Sequence, residues 1–108
     1  MRFHFSIEEA KKELEKVDFP FVQMLQQGTM QLEYYAPKLV DKQTPHKQDE
    51  IYIIASGHAI FYRDGEMVNC KKGDALFVPA TMKHHFENFS KDFATWVIFY
   101  GEEGGEKH

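Results

Sequence analysis

The sequence has one cysteine, one tryptophan and four prolines in 108 residues. With a single thiol, Cys70, no intramolecular disulfide can form, which matches a reducing compartment, and a cytoplasmic location is expected. Basic residues are few and scattered. Thirteen Lys and Arg against 17 Asp and Glu give a formal charge of -4, and no run of Lys or Arg exceeds two. A nucleic-acid partner calls for a basic stripe to neutralise phosphates, so none is expected. Long apolar runs are missing too: MRFHFSIEEA holds no signal-peptide core, and nothing later approaches a membrane span, so no membrane partner is expected. Ser-His-Asp sets, phosphate loops and zinc-finger cysteine patterns do not occur.

Apolar material, by contrast, is ample. The hydrophobic fraction is 43%, with ten Phe and five Tyr, enough for the core of one domain. Ser6 and Glu9 form a capping box, and Ile7, Ala10, Leu14 and Val17 recur at helical spacing, so residues 1–19 read as an amphipathic helical segment. From Phe21 onward, short apolar runs alternate with turn signals, among them Gly28, Gly57, Asp64-Gly65 and Gly73-Asp74. Strands are expected near 21–26, 29–36, 48–56, 58–63, 66–70, 75–79, 84–89 and 93–100, the pattern of a sandwich or barrel over residues 20–101. Residues 102–108, EEGGEKH, read as a flexible tail. Cys70 reads as a small strand residue rather than a reactive thiol. Ile51, Ile53 and Ala55 on one side of a strand and Tyr52 and Ile54 on the other give it two apolar faces. Such a strand needs a cover outside the barrel, from the N-terminal helix or a second subunit, and a homodimer is expected.

The chemistry concentrates in two stretches. In TPHKQDE, the residues Thr44, His46, Gln48 and Glu50 share one strand parity with Tyr52. In the second, His84 and Phe86 share a face, whereas His85 and Glu87 point the other way. Two imidazoles and a carboxylate from separate strands supply nitrogen and anionic oxygen donors for a divalent metal and leave coordination positions open.

Together the stretches resemble the paired motifs of the cupin superfamily, in its small single-domain form. Glu50, six residues and Gly57 fit the end of the first motif, with three residues between His46 and Glu50 and Thr44 where the family usually carries another histidine. Gly73, five residues, Pro79, His84 and Asn88 fit the second motif, with Thr81 in place of a glycine. The resemblance implies an all-β fold, a double-stranded β-helix or jelly-roll barrel, preceded here by the short N-terminal α-helix. Carried over by position, it implies metal binding through His46, Glu50 and His84, with Gln48 or Thr44 as a fourth ligand or as outer support. Tyr52 and Phe86 are expected to line a pocket for a small-molecule ligand. The metal could be Fe, Zn, Mn or Ni. Three functions stay open: a metal-dependent oxygenase or isomerase, a non-catalytic binding or sensor module, and a metal-free isomerase or epimerase.

Overall fold

A computed structural model describes residues 2–107. The chain opens with α1 (Ile7–Glu15), whose first turn is closed by Ser6: its hydroxyl accepts from Glu9 N at 3.1 Å. Eight strands follow: β1 (Phe21–Gln27), β2 (Met30–Tyr35), β3 (Asp49–Ser56), β4 (His58–Arg63), β5 (Glu66–Lys71), β6 (Ala75–Val78), β7 (His84–Glu87) and β8 (Ala94–Tyr100). They form a five-stranded sheet, ordered β1-β2-β8-β3-β6, and a three-stranded sheet, ordered β5-β4-β7, with antiparallel pairing throughout. This is a jelly-roll barrel.

Turn chemistry sets the register. Asp64 and Gly65 both have positive φ, 46° and 86°, as a tight hairpin between β4 and β5 requires. Gly57, at φ 73°, turns the chain from β3 into β4. A Cβ there would lie 2.3 Å from Ser90 Oγ and 2.8 Å from Phe93 Cα, so only glycine fits.

Alternation along each strand sorts side chains between two cores. Facing inward, Tyr52 and Ile54 of β3, Phe61 of β4, Phe86 of β7 and Val97 and Phe99 of β8 fill the barrel. Outside the five-stranded sheet, Ala10 of α1 is fully buried against Tyr34, Ala55 and Ala94, flanked by Ile7 and Leu14. The helix therefore supplies a cover for one part of the outer face. Elsewhere on that face, Ile51 and Ile98 stay half-buried, and Phe77 and Met30 are exposed.

The segment after β8 returns to the start of β3. Gly104 N donates to the Lys47 carbonyl and Glu106 N to the Asp49 carboxylate, both at 2.8 Å. Residues 102–106 are therefore fastened beside the start of β3, because a buried carboxylate there needs donors. Cys70 is buried, with its thiol pushed up to about 11, first by burial.

Candidate metal centre

Two strands and one loop build the site. β3 begins at Asp49, so Glu50 is its first inward residue, and it is fully buried. Across the barrel, β7 turns His84 and Phe86 inward. His85 points outward, its ring stacked on Tyr62 at an interplanar angle of 8° and its Nε2 2.9 Å from Glu87 Oε1. His46 comes from the loop between β2 and β3. Its carbonyl accepts from Thr81 N at 2.7 Å, and its ring meets Phe99 edge-on at 4.8 Å.

One donor atom from each of His46, Glu50 and His84 lies within 4.8 Å of the others. His84 Nδ1 is 2.9 Å from the Met82 carbonyl, which can only accept, so Nδ1 carries a proton and Nε2 faces the cluster, where its lone pair is open to a metal once the ring is neutral. That Nε2 is 2.7 Å from Glu50 Oε1, yet among the described residues it has no well-directed hydrogen bond, and neither has Glu50 Oε2. His46 Nε2 stands 3.8 Å from Glu50 Oε2. Buried polar atoms left in this way are rare, and the two here converge on one space. The donor set, two imidazoles and a carboxylate, fits a divalent transition metal.

The electrostatics differ between the two rings. Burial lowers the His46 pKa, only partly offset by the Glu50 charge. Burial also works against a charged His84, but contact with Glu50 and the Met82 carbonyl outweighs it, and its pKa is raised. The Tyr52 hydroxyl is pushed well above its ordinary value, first by burial and then by the Glu50 charge.

Several expected site residues lie elsewhere. Gln48 precedes β3 and does not follow its alternation. Its amide nitrogen donates to the carbonyls of Thr29, at 2.7 Å, and Gly101, at 2.8 Å, tying the loop to strand ends away from the cluster. Thr44 is exposed on the loop, at the wall of the adjoining cleft, and is not part of the donor cluster. Tyr52 and Phe86 do not line that cleft. Their rings pack edge-to-face at 5.1 Å inside the core, and only the Tyr52 hydroxyl reaches the cluster, 3.3 Å from Glu50 Oε1.

Two residues that motif spacing does not single out complete the site. Gln43 Oε1 accepts from the Tyr52 hydroxyl at 2.8 Å and lies 3.4 Å from His46 Nε2. Asp41, buried, accepts from Gln43 N, Gln43 Nε2, the Tyr35 hydroxyl and Phe86 N. Their one sequence signal is a polar pair inside an otherwise unpatterned loop. Beside the cluster opens a cleft of about 440 Å³, walled by Tyr35, Val97, Phe99 and the loop residues Val40, Lys42, Gln43, Thr44, His46, Lys47 and Gln48.

A jelly roll with a His-Glu-His cluster, its Glu50 and His84 buried and His46 half-buried, defines the class of small barrel to which the molecule belongs. The family model of the cupin domain matches residues 31–100, and the chain belongs to this family. It is similar to an uncharacterised protein of Streptomyces coelicolor, 32% identical over 97 residues, 88% of this chain and 92% of that one. It is also similar to an acireductone dioxygenase of Acidiphilium cryptum, 34% identical over 68 residues, 58% of this chain. The chain spans only 38% of the length of that dioxygenase. Among solved structures, a protein of unknown function from Rhizobium leguminosarum superposes with a TM-score of 0.69 at 19% identity, over 94% of this chain and 99% of that one.

Proposed function

We propose that this cupin holds a divalent metal between His46, Glu50 and His84 and offers it to a small organic ligand in the adjoining cleft. The observation that carries this reading is the convergence of two buried atoms, Glu50 Oε2 and His84 Nε2, that have no well-directed hydrogen bond among the described residues. Each such atom costs about 1–3 kcal/mol, a cost that coordination removes. Fe, Zn, Mn and Ni all suit the donors. When bound, the metal supplies Lewis acidity or redox chemistry toward an oxygen-bearing ligand.

The chain's own residues do the rest. Glu50 offsets the cation's charge, and Met82 holds the His84 ring in orientation. Phe99 and Val97 keep water from one side of the cleft. Tyr52, held protonated by burial and by Glu50, keeps a hydroxyl donor at the cluster. The acireductone dioxygenase among the relatives supports a metal-dependent oxygenase, with an isomerase as the other catalytic form. A non-catalytic binding or sensor module is the second reading. It is favoured by Tyr52, which, held protonated, does not serve as a base in the cluster.

Elemental analysis of untagged protein tests the metal. Close to one metal per chain is expected in the wild type, and most of it should be lost in Glu50→Gln, which keeps size but removes the anion. Equal content in both would place the metal elsewhere. Turnover compared across metal-substituted preparations then separates enzyme from binding module.

The same reading extends to assembly and place. The outer-face residues beyond the reach of α1, Ile51, Ile98, Phe77 and Met30, suit a two-fold contact between copies in the cytoplasm. Light scattering at micromolar concentration should return a dimer mass, and a monomer mass would refute the contact.

A further inference from the structure

The cleft beside the cluster has a polar far end that the metal site does not use. On the inner face of the five-stranded sheet, Glu33 pairs with Val97 and Val97 with Tyr52; one row along, Gln31 pairs with Phe99 and Phe99 with Glu50. Glu33 and Gln31 therefore stand two strands from the cluster, about 10 Å backbone to backbone, with Val97 and Phe99 as an apolar floor between. All four side chains line the cleft.

Glu33 is only partly exposed, and no ion pair among the described residues reaches its carboxylate. Burial, then the charge of Glu50, raises its pKa, and no hydrogen bond counters the shift. Lys42 and Lys47 line the same cleft, but neither pairs with it. An anion half-withdrawn from water and left without a partner is a ready receptor for a donor. A bound molecule that brings a cation or a hydroxyl group to it restores what folding took away.

We infer that Glu33, with Gln31 beside it, recognises a hydrogen-bond-donating terminus, an ammonium or a hydroxyl, on a ligand whose other, oxygen-donor end lies at the His46–Glu50–His84 cluster. The ligand class is a short-chain acid carrying an amino or hydroxyl group at the far end. Its middle rests on Val97 and Phe99, which favour methylene groups over further polar ones. This inference rests on the metal reading, and Glu33 belongs to recognition rather than to the donor set.

Three probes with the same four-carbon chain test it: butyrate, 4-hydroxybutyrate and 4-aminobutyrate, titrated calorimetrically into protein loaded with cobalt(II) and checked for metal content first. The two donor-bearing probes should bind about tenfold or more tighter than butyrate, as charge-assisted hydrogen bonds do. In Glu33→Leu that preference should vanish while butyrate binding stays within about threefold, and Glu33→Gln should fall between. If Glu33→Leu does not fold, as judged by thermal unfolding, the wild-type and Glu33→Gln arms decide alone. Protein that takes up no metal overturns the metal reading and this inference with it. Loaded protein that binds the three probes alike, or none of them, or whose preference survives both substitutions, overturns the inference and leaves the metal reading standing.

Discussion

The carboxylate of Asp41 accepts a hydrogen bond from the backbone N–H of Phe86 at 2.8 Å, joining the loop before β3 to the strand that carries His84. The same carboxylate receives Tyr35 and Gln43, so one side chain fixes the loop, the barrel wall and the amide that meets Tyr52. Asp41→Ala strands several donors in a buried place, and a loss of about 3 kcal/mol is expected from chemical denaturation. A loss under about 1 kcal/mol would mean that water replaces the carboxylate without difficulty.

Adjacent histidines give the sharpest contrast. His84→Ala removes one of three donors and should lose most bound metal. His85→Ala should keep the metal, with stability within about 0.5 kcal/mol of wild type, since its ring lies on the surface against Tyr62 and Glu87. Metal content per chain decides between them. The reverse pattern would mean that β7 presents its other face to the barrel.

The two inward imidazoles should titrate on opposite sides of the ordinary value of 6.5 in metal-free protein, His46 below and His84 above. His84, raised, adds stability that is complete below about 6.5 and is lost as pH rises through its folded value. His46, lowered, adds stability that is complete above about 6.5 and is lost as pH falls through its folded value. Metal uptake must displace the His84 proton, so affinity should weaken as pH falls through that group's pKa. Carbon-detected imidazole titrations check the order. A single shared midpoint at 6.5 would remove the basis for both slopes.

Gln48 separates architecture from chemistry. Gln48→Leu loses the two bonds to Thr29 and Gly101 and should cost about 1–2 kcal/mol, with metal content unchanged. Metal loss in a folded Gln48→Leu protein would return the residue to the site.

Most of the fold was legible because turns announce themselves: Asp64-Gly65, Gly57 and Gly73 bound strands whose alternation then follows. The parity of Glu50 and His84 was legible for the same reason, since both stand inside regular strands. Parity failed for Thr44, His46 and Gln48, which precede Asp49 and take their positions from tertiary bonds rather than from a two-residue repeat. His46 reaches the cluster because Thr81 holds its carbonyl, a contact 35 positions away that no local pattern encodes. Asp41 and Gln43 were illegible on the same grounds. Their partners Phe86 and Tyr52 become neighbours only once the two sheets close. The contact of Glu106 with Asp49 was illegible too, because a Gly- and Glu-rich stretch names no acceptor of its own.

Gly57 carries a different kind of consequence. It stands at the other end of β3 from Glu50, against Ser90 and Phe93, and touches none of the donors. Gly57→Ala should therefore cost about 2–3 kcal/mol in unfolding free energy, from the positive φ and the clash with Phe93, in a protein that still binds metal whenever it is folded. A recognisable string of letters thus records two unrelated demands, one steric and one chemical. A descendant of this chain could lose every imidazole from its interior and still be spelled, at this glycine, as the same barrel.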